Sequence, residues 1–232
     1  MLVPVPRRLA PRPVPRPDPS GGVFETLLVD GGVAVAAARH LERLARSARE
    51  LYGVPLPATL PALVRHTALE QGGPCRLRIL LDASGEVALD VASLPAPAAP
   101  TVLEPVTVPG GIGDHKWRDR RLLEALETAV APATPLLVDL DGAVLETTRS
   151  SVFALVDGTW ITPPADGRIL PGVTRARVLD GGEAREAPLD LDMLRSAGAA
   201  IAVNALRGLQ PVAMTSDDRL RTPTRRYPHL GE

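Results

Sequence analysis

GDHKWRDRRLLEAL, residues 113–126, holds Lys116, the only lysine of this 232-residue chain against a combined lysine and arginine count of 26. A chain so biased toward arginine has little use for lysine as a surface charge. Lysine resists replacement where an amine must lose its proton: arginine stays charged and forms no ordinary Schiff base with an aldehyde, whereas a lysine of lowered pKa does. A stray surface lysine is the competing explanation, and the neighbouring sequence has to decide between them. Downstream of Lys116 the pattern predicts a helix over 117–130, with Leu122, Leu123, Leu126 and Val130 on one side. His115 is one peptide bond away, so its side chain is expected to point to a different face from that of Lys116.

Working outward, the N-terminal side reads as a mixed α+β unit. Val23–Val29 is a strand, and Asp30-Gly31 signals a hairpin turn. In AAARHLERLARSARELYG, Leu41, Leu44, Ala45, Ala48, Leu51 and Tyr52 recur at helical spacing, with Gly53 at the stop. A second helix is expected over 58–71 and two strands over 75–82 and 86–94, joined by the Ala83-Ser84-Gly85 turn. Cys75, the only cysteine, falls in the first of these as a small buried residue.

Residues 95–111, proline-rich and ending in Gly-Gly, are the natural boundary, although Thr101–Val108 has strand character of its own. Beyond the 117–130 helix lie strand-like runs at 136–140, 143–147, 152–156 and 159–162, with turns at Asp141-Gly142 and Asp157-Gly158. A short helix at Val173–Leu179, another near 189–196 and a strand at 199–203 complete a strand-rich α/β unit. The divisions are therefore an extended Pro/Arg-rich arm (1–20), an N-terminal domain (21–100), a linker (101–111) and a C-terminal domain (112–232) with a polar tail from 213.

Bulk properties narrow the function classes. The formal net charge is −1, and aromatics make up 3% of residues, which argues against a nucleic-acid surface. One cysteine permits neither an internal disulfide nor a cysteine-rich metal site, and no metal is expected. The sequence has no apolar run of transmembrane length and no signal-peptide pattern in residues 1–19, so no membrane association and a cytoplasmic location are expected.

Taken together, GGVFETLLVDGG with RHLERLARSARELYG, GDHKWRDRRLLEAL, LVDLDGAVLETTRSSVFALVDGTWITPP, GRILPGVTRARVL and VNALRGLQPV resemble the class IV aminotransferases, the fold-type IV pyridoxal-phosphate (PLP) enzymes. The resemblance runs from about Gly21 to Val212 and is nearest to the 4-amino-4-deoxychorismate lyase branch, in particular the domain found fused behind chorismate-using synthase subunits. It implies a two-domain α/β (α+β) fold whose C-terminal domain binds PLP, with Lys116 as the Schiff-base lysine and proton shuttle. Glu146 matches the carboxylate paired with the cofactor's pyridine nitrogen, and Arg43 of HLERL matches the phosphate-binding arginine. The amides of Val173 and Thr174, at a helix start, match the phosphate cradle. Asn204-Ala205-Leu206 matches a loop beside phosphate and substrate, so Ala205 and Leu206 join the cofactor site. Ser151 departs from the asparagine that many relatives carry.

For activity, the resemblance implies conversion of aminodeoxychorismate to 4-aminobenzoate and pyruvate, a step toward folate. The alternative is a transaminase for D-amino acids, branched-chain amino acids or amines, using the same Lys116, Glu146 and Arg43. A third reading is a non-catalytic domain docked on a synthase. Arg118, Arg149 and Arg207 remain equal candidates for holding the substrate carboxylate. A homodimer, a small-molecule substrate and association or fusion with a chorismate-using synthase are the expected partnerships.

Overall fold

The computed structural model describes residues 16–95 and 101–214. It is built on two sheets with a cleft between them. The smaller one has four antiparallel strands in the order β2-β1-β3-β4, from β1 (Val23–Asp30), β2 (Val33–Ala34), β3 (Cys75–Leu81) and β4 (Val87–Ser93). The β1–β2 turn is Gly31-Gly32, both at positive φ, as a two-residue hairpin of this hand requires.

Alternation sorts the residues of β1 and β3 between two faces. Val23, Leu27, Val29, Cys75, Leu77, Ile79 and Leu81 pack on helices α1 (Ala37–Tyr52) and α2 (Leu60–Leu69) through Leu44, Ala48, Leu60, Val64 and Ala68. Phe24, Thr26 and Arg78 take the opposite face, which lines the cleft. Thr26 and Arg78 are direct cross-strand partners.

The larger sheet has eight strands in the order β10-β9-β8-β11-β12-β5-β6-β7. They are β5 (Thr101–Thr107), β6 (Thr134–Val138), β7 (Val144–Thr147), β8 (Ser151–Val156), β9 (Thr159–Thr162), β10 (Ala184–Glu186), β11 (Ala200–Asn204) and β12 (Gly208–Met214). Helices α3 (Arg121–Val130), α4 (Val173–Asp180) and α5 (Leu191–Ser196) connect them. Two apolar clusters, one around Leu103, Leu136, Val152 and Ala202 and one around Phe153, Val178 and Ile201, form its core.

The expected linker over 101–111 is corrected, because β5 lies inside this sheet, parallel to both β12 and β6. The strand character of Thr101–Val108 is what the structure realises, and Pro105 sits in the strand, paired with Leu136. The tail expected from 213 is corrected as well: Ala213 and Met214 complete β12, with Met214 buried, and the remainder of that tail lies outside the described residues. Most of the expected arm also lies outside them, but its end is anchored. Arg16 donates to the carbonyls of Gly111 and Pro109 at 2.6 and 3.0 Å, and a 3-10 turn forms at Pro19–Gly21. Arg16 and the Asp18 amide, which donates to Asp119 at 2.9 Å, thus hold both flanks of the Lys116 loop.

Candidate active site

Lys116 is fixed by its backbone before its side chain does anything. Its carbonyl accepts from the Phe24 amide at 2.9 Å, and the Arg118 amide donates to Gly22 at 3.0 Å, so residues 116–118 run alongside the start of β1. Upstream, Gly111 lets the start of this loop pass against Arg168: its φ is +64°, and a Cβ there would lie 2.0 Å from the Arg168 carbonyl oxygen. The Lys116 ammonium sits 5.0 Å from the centroid of Phe24. Burial, aided by the charge of Arg43, lowers its pKa from 10.5 to about 8. That is the state an amine needs to attack an aldehyde near neutral pH.

Glu146, on β7, is the opposite case. Burial raises its pKa from 4.5 to about 7, although the Leu170 amide donates to Oε1 at 3.1 Å and Lys116 and Arg43 favour the charged form. A buried carboxylate with one oxygen engaged by protein is ready to gain a cationic N–H partner, and that partner would restore its ionised form.

The α1 face that meets the cleft is polar. His40, Arg43 and Ser47 recur at three- and four-residue spacing and are all buried. Arg43 forms a fork with Glu25 of β1, Nε to Oε1 at 2.8 Å and Nη2 to Oε2 at 2.7 Å, while Nη1 donates to the Pro171 carbonyl at 2.8 Å. His40 Nδ1 lies 2.7 Å from the same carboxylate. Glu25 and His40 were not legible as site residues: GVFETLL alternates like any half-buried strand. Arg43 keeps N–H hydrogens for an anion but is tied first to Glu25 and to the loop that opens α4.

At α4 the N-cap is Gly172, with no side-chain cap, so the amides of Val173 and Thr174 open toward the cleft with their helix dipole. A Cβ on Gly172 would come within 2.7 Å of the Ser151 hydroxyl, so glycine keeps that cradle open. In the turn after β11, Asn204 Oδ1 accepts from the amides of Leu206 and Arg207 at 3.0 and 2.9 Å, and Asn204 Nδ2 donates to Ser150 at 3.0 Å. The Leu206 amide is thus already occupied.

All seven expected site residues line one cleft of about 480 Å3. Lys116, Glu146 and Arg43 bring the ionisable groups; Val173, Thr174, Ala205 and Leu206 bring two turns of backbone. Arg149 and Arg207 line it too, and Arg118 does not. His115 contacts Ser47 of α1 (Nδ1 to Oγ, 2.9 Å) and the edge of Trp117, whereas Lys116 is directed at Phe24.

The profile of the family described as amino-transferase class IV matches residues 22–214. The chain belongs to the class IV aminotransferase family. A Thermotoga maritima relative, assigned as a branched-chain-amino-acid aminotransferase, is 28% identical over 189 residues, 73% of this chain and 66% of its own. The match therefore spans just under two thirds of that relative. Among solved structures, one from Mesorhizobium loti, assigned as an amino-acid aminotransferase, is 31% identical with a TM-score of 0.75, over 83% of this chain and 99% of that one. The 4-amino-4-deoxychorismate lyase of Pseudomonas aeruginosa shares the fold, with TM-score 0.72 and 21% identity over 90% and 89% of the two chains. This class IV chain is a PLP-dependent enzyme, and the donors just described suit that group: an amine of lowered pKa, a half-engaged buried carboxylate and an uncapped helix N-terminus held open by glycine.

Proposed function

We propose that this class IV enzyme is an aminodeoxychorismate lyase, releasing 4-aminobenzoate and pyruvate without a keto-acid acceptor. The observation that carries the reading is the cationic wall of the cleft. Arg78, Arg120 and Arg149 line it together with Lys116, and Glu127 is the acidic side chain that pairs with two of them. A substrate with two carboxylates, one on the ring and one on the enolpyruvyl group, suits such a wall.

Bound PLP supplies an electron sink. The protein's part is to place groups around it. Lys116 would hold the cofactor, be released when the substrate amine arrives, and then act as base at the ring carbon and as acid toward the departing enolpyruvyl carbon. Glu146 would hold the pyridine nitrogen protonated. The α4 amides and Arg43 would hold the phosphate, which keeps the ring in register with Lys116.

Aminotransfer is the second reading, and it is favoured by the relatives at 28% and 31% identity, both assigned as aminotransferases. Incubation of PLP-loaded protein with aminodeoxychorismate alone decides between the two. Equal amounts of 4-aminobenzoate and pyruvate support the lyase. No product, with turnover appearing only when an amino donor and 2-oxoglutarate are supplied, replaces it with the transaminase. Protein that acquires no cofactor absorbance when PLP is added would speak for the docking-domain reading. A homodimer, a synthase partner and a cytoplasmic location accompany the lyase reading as parts of the same proposal. No helix among the described residues is long and apolar enough to cross a membrane.

A further inference from the structure

The loop that carries Lys116 is gripped from one side by α1. Arg46 and Ser47 follow Arg43 by three and four residues, so they lie on its side of the helix. Arg46 donates to the side chain and the carbonyl of Asp114, at 2.7 and 2.9 Å. Ser47 Oγ lies 2.9 Å from Nδ1 of His115. These contacts meet the two residues immediately before Lys116. On the other side, the Phe24 amide holds the Lys116 carbonyl, and Trp117 bridges to Val23 and packs on the core of the smaller sheet.

Of the two grips from α1, the one between Ser47 and His115 is the drier. Ser47 is 3% exposed and the His115 side chain 12%, against 29% and 35% for the side chains of Arg46 and Asp114. A buried hydrogen bond holds geometry that a more exposed ion pair, loosened by water and salt, does not. The His115 ring is engaged on every side. Its Nε2 faces the carboxylates of Glu50 and Asp114 at 3.7 and 3.5 Å, both of which Arg46 also meets, and it stands edge-on to Trp117 with centroids 5.4 Å apart. With one nitrogen turned to Ser47 and the other to those carboxylates, His115 acts on the chemistry through the backbone it shares with Lys116.

We propose that His115 is a positioning residue for Lys116. Its bond to Ser47 fixes the lysine loop on α1, the helix whose Arg43 is to receive the cofactor phosphate. One rigid element thereby sets the separation between the phosphate anchor and the amine that must reach the aldehyde. The inference rests on the reading of Lys116 as the PLP-binding lysine, and it is the same for lyase and transaminase.

Two cofactor forms isolate the lysine's share. PLP bonds to Lys116, whereas pyridoxamine phosphate, with an amine in place of the aldehyde, fills the same cleft without that bond. The cofactor-free protein is titrated with each, and PLP-loaded samples are reduced with borohydride and mapped. His115→Phe keeps a ring beside Trp117 but has no nitrogen for Ser47; His115→Asn has no ring but keeps an amide for it. His115→Phe should weaken PLP about tenfold, the loss of one buried hydrogen bond, with pyridoxamine phosphate within about threefold of the parent. His115→Asn should recover most of the PLP loss. Ser47→Ala should match His115→Phe, and the double variant should bind PLP no more weakly than either. Unchanged PLP affinity in His115→Phe overturns the proposal. So does a parallel loss of both cofactors, which marks a misshapen cleft, or His115→Asn binding PLP more weakly than His115→Phe, the order that ring packing dictates. A parent protein that takes no reducible label on Lys116 overturns this proposal together with the lysine reading, whereas the preceding outcomes in a labelled parent overturn this one alone. If aminodeoxychorismate is not converted while the His115 pattern is obtained, the lyase reading fails and this one stands.

Discussion

Glu25 and Arg43 are joined by two hydrogen bonds of 2.8 and 2.7 Å, in the interior between β1 and α1. Burial alone would push the Glu25 carboxyl up, but the Arg43 charge and the His40 hydrogen bond outweigh it and hold the carboxyl well below its ordinary value. The pair ties α1 to β1, and the Arg43–Pro171 bond ties α1 in turn to the loop that opens α4.

Glu25→Gln leaves Arg43 with an uncompensated buried charge, and a loss of about 2–4 kcal/mol is expected by urea denaturation at pH 7. The pH dependence should change as well. The folded pKa lies below 4.5, so the Glu25 contribution is complete above pH 4.5 and declines as pH falls toward about 2. The parent should lose stability through that interval more steeply than Glu25→Gln.

Lys116 is costly to the cofactor-free fold. Its folded pKa of about 8 lies below 10.5, so between those values the unfolded chain binds the extra proton and stability rises with pH. Lys116→Met should therefore stabilise the cofactor-free protein at pH 7 by about 1–3 kcal/mol, with the advantage shrinking by pH 10. Chemical denaturation at the two pH values measures it. A flat comparison would mean that the amine is solvated in the free protein. With PLP bound, borohydride reduction and peptide mapping should place the cofactor on Lys116.

Glu146→Gln should retain PLP but slow turnover by roughly a hundredfold or more, since the neutral amide no longer stabilises a protonated pyridine. In the cofactor-free protein the raised Glu146 pKa has the reverse sign to Glu25. Stability should fall as pH rises from 4.5 to about 7, because the unfolded carboxyl ionises first. That decline should be smaller in Glu146→Gln.

Gly172→Ala should weaken PLP binding about tenfold, because the new methyl meets Ser151 Oγ at 2.7 Å and narrows the α4 cradle. Its φ of −64° is ordinary, so the cost is steric and not conformational. Adding Ser151→Ala should recover most of the affinity in a PLP titration. No recovery would mean that the glycine serves another purpose.

The sequence made the periodic elements legible: α1, α3 and α4, the strands near 75–94 and 134–162, and the turn at Asp157-Gly158 follow from apolar spacing and turn chemistry. Lys116, Glu146 and Arg43 were legible as candidates through motif and resemblance, and the fold brings the three to one cleft. The misses share a cause. Pro211 disguised β12, and Pro105 weighed the strand character of 101–108 down to a linker, because a strand flanked on both sides by partners is an unusual place for proline and only tertiary pairing overrides that preference. That Arg78 lines the cleft was not legible, because CRLRILLD shows which residues alternate but not which face meets the cleft. Glu25 was missed for the same reason: on a half-buried strand, a carboxylate facing a helix and one facing water have the same spelling.

The place of β12 has a consequence for how the protein comes to be. β5 is an interior strand of the larger sheet, yet one of its two neighbours is β12, about a hundred residues later in the chain. During synthesis the smaller sheet, whose pairings are more local, can assemble while β5 still lacks that neighbour. Until β12 emerges, one edge of β5 offers bare N–H and C=O groups to any passing strand. The cofactor half is thus the late-closing half of this protein, and a ribosome stalled before residue 208 would expose an adhesive intermediate.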